Sequence, residues 1–232
     1  MKIFCIIPAY NEEKTIIEVI NSVKPLVDQV AVVDDGSTDK TFELATEQIG
    51  AADSEAPNLP LAVVLHHIIN RGQGAALKTG TEYALRNGAD IIIHFDADEQ
   101  FLADDIASIV QPIKNGIADV VFGSRFLNKK SNMPFLKKNL ILPLAKIVSR
   151  IFFNIKMTDP QSGFRAMSAR VARKIDWQQD QMAHCSEILF AVNQAGCKIK
   201  EVPITVIYHS FGQRFFDGFK ILKDLFLAKI VN

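Results

Sequence analysis

Short apolar runs alternate with longer, helix-periodic stretches along the first half of the chain. The runs KIFCIIPAY (2–10), QVAVVDDGS (29–37), LAVVLHH (61–67), DIIIHFD (90–96) and ADVVFGSRF (118–126) are rich in β-branched residues. They predict five buried strands. Between them, residues 11–26, 38–50, 75–88 and 102–116 carry apolar positions at helical spacing. Asn11 reads as a cap of the first helix, and Pro112 as a kink or early stop of the fourth. Strand–helix alternation of this kind predicts an α/β, Rossmann-like architecture, with a mostly parallel central sheet and helices on both faces. Ligands of such sheets bind beyond the carboxyl ends of the strands. Polar residues recur at those ends: Asn11 and Glu12, Asp34 and Asp35, Asn70 to Gly74, Asp96 to Gln100, and Ser124 and Arg125.

The second half is less regular. Residues 135–154 mix basic and apolar positions around Pro143, and MTDPQSGFRAMS (157–168) reads as a polar turn. A helix is expected over 186–196. A strand is expected in CKIKEVPITVIYH (197–209), where Pro203 argues for an edge position or a bulge. Phe215, Phe219, Leu222, Phe226 and Ile230 recur at the spacing of an amphipathic helix. There is no internal repeat and no low-complexity linker, so the chain reads as one domain. Its parts are residues 1–127, which gather the ligand-facing strand ends, then 128–214, and a helix over 215–232.

Composition changes this picture little. The 232 residues are 48% hydrophobic, and 26 basic side chains balance 26 acidic ones. Nothing in that balance points to nucleic acid, and steering of an anionic substrate has to come from local clusters. Cys5, Cys185 and Cys197 lack metal-ligand spacing and fit reduced thiols in a cytoplasmic protein. MKIFCIIPAYNEE lacks the features of a signal peptide. No run reaches the roughly 18 apolar residues of a membrane span.

Candidate chemistry concentrates at the strand ends. IIIHFDADEQF (91–101) ends an apolar strand with Asp96 and Asp98 one residue apart. Two such carboxylates repel unless a cation lies between them. Hard oxygen ligands suit Mg2+ or Mn2+, and magnesium sites often combine one or two carboxylates with substrate phosphates. Gln100 adds a neutral oxygen. In VVDDGSTD (32–39), adjacent acids exceed what a turn requires, so one is free to accept from a base N–H or a ribose hydroxyl. NRGQGAALKTG (70–80) matches neither phosphate-loop fingerprint. It still opens a helix with glycines, and Arg71 and Lys78 are candidates to neutralise phosphate. His66, His67 and His94 fit no zinc pattern and read as structural.

Taken together, these stretches resemble the family 2 glycosyltransferases with the GT-A fold, and among them the polyprenyl-phosphate sugar synthases. The resemblance is carried by IIPAYNEE (6–13), VVDDGSTD (32–39), NRGQGAALKTG (70–80), DADEQ (96–100), GSR (123–125), DPQSGFRAMS (159–168) and EVPI (201–204). It implies that Pro8, Tyr10 and Glu12 hold the nucleotide and that Asp35 contacts the base. It implies that Asp96, Asp98 and Gln100 bind metal and diphosphate. Arg125, with Lys137 or Lys138, is implied to contact phosphate of a lipid acceptor. Many relatives of the lipid-phosphate type carry C-terminal transmembrane helices, where this chain has a basic amphipathic stretch.

The reaction implied is inverting, metal-dependent transfer of a hexose from a UDP- or GDP-sugar to a polyprenyl phosphate. A lipid phosphate is already ionised and needs no strong base. A glycan or glycolipid hydroxyl, the alternative acceptor, needs a carboxylate to take its proton. Asp159 and Glu187, in the half where the acceptor enters, are the two candidates. An alternative of another class is a nucleotide-sugar-binding protein without turnover. The basic apolar stretches at 135–156 and 215–231 suit either peripheral contact with the inner face of a membrane or packing on the protein itself.

Overall fold

A computed structural model describes residues 1–50, 61–127, 157–181 and 183–207. The expectations for residues 51–60, 135–156, Lys137 and Lys138, and 215–232 lie outside the described residues. Strands β1 (Ile3–Ala9), β2 (Gln29–Asp34), β3 (Ala62–His66), β4 (Ile91–His94), β5 (Val120–Ser124), β6 (Arg165–Ser168) and β7 (Ile199–Pro203) form one sheet. Its order is β3-β2-β1-β4-β6-β5-β7. All pairings are parallel except those of β6, which runs antiparallel between β4 and β5.

The inner strands are buried on both faces, the edge strands β3 and β7 only in part, and side chains alternate between two cores. In β1, Ile3, Cys5, Ile7 and Ala9 face one core, while Phe4 and Ile6 face the other. The first core packs α1 (Ile16–Val23), α2 (Thr41–Gly50) and α4 (Ile106–Lys114). The second packs α3 (Gln73–Arg86), the short α5 (Ala169–Ala172) and α6 (His184–Gln194). Each fully buried Ile or Leu contributes about 1.5–3 kcal/mol of apolar transfer free energy. Among the described residues, no helix is long and apolar enough to cross a membrane.

Some local expectations are corrected and others are met. Asn11 does not cap α1. It adopts φ 57°, its Oδ1 accepts from Thr38 N at 2.8 Å, and α1 begins only at Ile16. Asn tolerates the left-handed region better than most residues, so it serves the loop instead. Pro112 lies inside α4, which ends two residues later at Lys114. There Pro112 O accepts from Ile117 N and Ala118 N. The end of the expected polar turn, RAMS, is instead β6, an interior strand of the sheet. It is held by burial of Arg165, Ala166 and Met167 rather than by local propensity. Pro203 is the last residue of β7, at the sheet edge, where its missing N–H costs no ladder bond.

Candidate active site

The carboxyl ends of β1, β2 and β4 open on a cavity of about 420 Å³. Pro8, Tyr10 and Glu12 line it after β1, Asp35 after β2, and Asn70, Gly72 and Gln73 after β3. Asp96, Asp98, Gln100 and Phe101 line it after β4, and Arg125 after β5. The far wall comes from Gln161, Gly163, Gln181 and Cys185. Most of the strand-end residues singled out in the sequence therefore share one crevice.

Asp35 is buried and its bonds are well defined. Its Oδ1 accepts from His67 Nδ1 at 2.6 Å and from Arg71 N at 3.1 Å. Its Oδ2 accepts from Gly72 N at 2.6 Å. The loop that delivers these N–H groups turns through Gly72 at φ 115°, where a side chain would strike Asp180 O. Only glycine adopts this conformation without strain. Asp34 turns away from the cavity and pairs with His66 Nδ1 at 2.8 Å and with Ser37 N at 3.2 Å.

The acid pair after β4 is built differently. Asp96 Oδ1 accepts from Gln73 Nε2 at 2.7 Å, and Asp98 Oδ1 accepts from Gln100 N at 3.1 Å. Glu99, immediately after the pair, takes φ 57°, so the chain turns sharply there, and both acids line the cavity. Burial, and then the charge of Asp98, push the Asp96 carboxyl up to about 7, although Arg165 and His184 pull the other way. Burial also raises the Glu12 carboxyl, with Asp98, Asp39 and Glu99 adding to it and the Thr15 hydroxyl opposing. Negative charge is in excess at this floor.

Among the described residues no group of three or more His, Cys, Asp or Glu is arranged to hold a metal ion. Two carboxylates in a crevice of excess negative charge still fit a hard divalent cation that takes its remaining ligands from substrate phosphates. Asp96, Asp98 and Gln100 would hold it.

The remaining candidates fall in varied places. Arg125 reaches the cavity wall, and Asp159 holds it with a bidentate pair at 2.6 Å from both Nε and Nη2. Asp159 is fully buried and does not line the cavity. Glu201 of β7 anchors that turn by accepting from Thr158 N and Asp159 N, which accounts for the glutamate of EVPI. Glu187 accepts from Gln178 N and Gln179 N, and so braces residues 178–179 outside the cavity. Lys78 pairs with Asp176 at 2.6 Å and does not line the cavity. Arg71 contributes its backbone N–H to Asp35, and its side chain is exposed. His94 is buried and bonds Thr81 at 3.0 Å. Burial and the nearby Arg165 push its pKa well down, which keeps the ring neutral.

Gly163, Arg165 and Cys185 are not singled out in the sequence reading of the site, and Gln73 enters it only within the stretch Asn70 to Gly74. A Cβ on Gly163 would lie 2.5 Å from Asp96 Oδ2, so this glycine permits the acid its position. Arg165 is fully buried, with Nη2 3.5 Å from Cys185 Sγ. The guanidinium supplies fixed positive charge behind Asp96. Gln73 stands between two glycines at a helix start, which is a readable signal. Gly163 and Arg165 gain their meaning only from the antiparallel insertion of β6.

The model of the glycosyl transferase family 2 matches residues 4–176. The UDP-N-acetylglucosamine–dolichyl-phosphate N-acetylglucosaminyltransferase of Methanococcus voltae is 36% identical, over 98% of this chain and 96% of its own. The polyprenol monophosphomannose synthase of Mycolicibacterium smegmatis is 30% identical, over 95% of this chain and 83% of its own. Among solved structures, glucosyl-3-phosphoglycerate synthase of Mycobacterium tuberculosis in complex with Mn2+, UDP and phosphoglyceric acid superposes with a TM-score of 0.71. It is 21% identical, and the alignment covers 97% of this chain and 77% of that one.

Proposed function

Because this chain belongs to glycosyl transferase family 2 and is a glycosyltransferase with the GT-A fold, we propose that it transfers a hexose, with inversion, from a UDP- or GDP-sugar to a polyprenyl phosphate. The transfer takes place at the cytoplasmic face of a membrane. The observation that carries this reading is the cavity wall beyond β5. It presents Arg125, held by Asp159, while neither Asp159 nor Glu187 reaches the cavity as a base. A phosphate acceptor brings an oxygen that is already ionised and requires a cation rather than a base. The lipid acceptors in the names of two relatives agree with this.

Pro8, Tyr10, Glu12 and Asp35 hold the nucleoside, and Asp96, Asp98 and Gln100 face its diphosphate. A divalent cation held there by Asp96, Asp98 and Gln100 would supply positive charge to the leaving diphosphate. Gln73 orients Asp96 through its 2.7 Å bond, and Asp159 keeps the Arg125 guanidinium aimed at the acceptor.

The test is transfer of labelled sugar from UDP- and GDP-hexoses into extractable lipid, with polyprenyl phosphate, Mn2+ or Mg2+, and an EDTA control. Label in the lipid that EDTA removes is the expected result. Label appearing only on added glycans would replace the lipid phosphate by a hydroxyl acceptor. Nucleotide binding without any product would leave a binding protein.

A further inference from the structure

Asp35 faces the cavity with most of its accepting capacity already committed. A carboxylate offers about four lone-pair sites, two on each oxygen. Oδ1 uses both of its own, for His67 Nδ1 and Arg71 N. Oδ2 uses one, for Gly72 N. One acceptor site remains, on Oδ2. The His67 ring cannot easily turn away. Its Nε2 meets Thr79 Oγ1 at 2.9 Å on α3, and its backbone N–H donates to Asp34 O at 2.9 Å. In the tautomer that gives Nδ1–H to the carboxylate, Nε2 accepts from the threonine hydroxyl, and one ring satisfies both partners.

Uracil presents a single N–H, at N3, between two carbonyl oxygens. Guanine presents two adjacent donors, N1–H and N2–H, which pair with a carboxylate one to each oxygen. Oδ1 has no site left for the second. A guanine here would leave one N–H unpaired, or would have to break the His67 or Arg71 bond. Resting on the reading of this cavity as a nucleotide-sugar site, we propose that the donor base is uracil, selected against guanine by the single acceptor site left on Asp35. His67 is the positioning residue that keeps the second site closed.

Titration calorimetry of the whole chain with UDP and with GDP, each with Mn2+, tests this directly. An unmet buried donor is expected to weaken GDP about tenfold or more relative to UDP. GDP binding as tightly as UDP overturns the proposal. Binding of neither nucleotide removes the nucleotide reading of the cavity itself, and the proposal with it.

His67→Ala opens the second site on Oδ1, and the preference for UDP is expected to fall toward unity. His67→Asn, whose amide can return an N–H to Oδ1, is expected to restore it. Thr79→Val frees the ring on its far side and is expected to shift the ratio the same way by a smaller factor. It serves as well if His67→Ala does not fold. Equal weakening of both nucleotides, with their ratio unchanged, would reduce His67 to a structural part and overturn its assigned role.

Discussion

Two acid pairs stand at the carboxyl ends of the strands that flank β1 in the sheet, Asp34–Asp35 at the tip of β2 and Asp96–Asp98 after β4. Their composition is the same and their surroundings are opposite. The first is met by two histidine rings and three backbone N–H groups. In the second, Asp96 shares the cavity floor with Asp98, and its carboxyl rises to about 7. Donors supplied by the fold suit a carboxylate to the recognition role proposed for Asp35, and charge left in excess suits Asp96 and Asp98 to the cation proposed to arrive with substrate. The difference comes from neighbours distant in sequence, not from the acids themselves.

The contrast breaks most severely at Asp98. Asp98→Ala is expected to lower turnover by about 10²–10³-fold or more, read as nucleotide release, with the protein still folded. Near-normal turnover in a folded variant would end the metal assignment. Gly163→Ala is next. Its Cβ falls 2.5 Å from Asp96 Oδ2, and a displacement of the acid near 1 Å is expected to cost about 10²-fold in rate. Gly50→Ala, with nothing within 4 Å of its Cβ, is the control and is expected to be silent.

Asp96→Asn sharpens the comparison through stability. In the unfolded chain Asp96 loses its proton near pH 3.8, and in the metal-free folded protein near 7. Between these values the folded state binds the extra proton, so stability falls as pH rises from about 4 to 7 and stays reduced above. Asparagine removes that cost. The metal-free variant is expected to melt several degrees above the parent at pH 8 and much closer to it at pH 4, at roughly 2–4 °C per kcal/mol for a chain of this size. An equal shift at both pH values would contradict the raised carboxyl.

Glu187→Gln has the smallest expected effect. It weakens the brace on residues 178–179 by about 1 kcal/mol and lowers turnover less than tenfold. A much larger fall in turnover, with donor binding intact, would return Glu187 to the role of base.

Much of this arrangement was legible in the chain. The parallel half announces itself through β-branched runs and strand-end polar residues, and local pattern sufficed there because each strand's neighbours are buried on both faces. The acid pair, Arg125 and Asp35 were likewise found by their position at strand ends. β6 was not legible, because RAMS has none of the β-branched residues that mark the equally short β4, and its place between β4 and β5 is a tertiary fact. Gly163 and Arg165 were missed with it. Asp159 and Glu187 were read as acids near an acceptor, whereas their partners, Arg125 and the backbone of 178–179, lie far enough along the chain that no spacing reveals the pairing.

The inserted strand also sets an order in time. A chain emerging from the ribosome has β1 to β4 and both acid pairs complete by residue 98. The glycine that makes room for Asp96 and the arginine behind it come 65 and 67 residues later. At about 5–20 residues per second, that is an interval of roughly 3–13 s. During it Asp34 and Asp35 can already find His66, His67 and Gly72, while Asp96 still lacks the two groups that complete its surroundings. The nascent protein is therefore expected to finish the Asp35 end of the cavity seconds before the Asp96–Asp98 end.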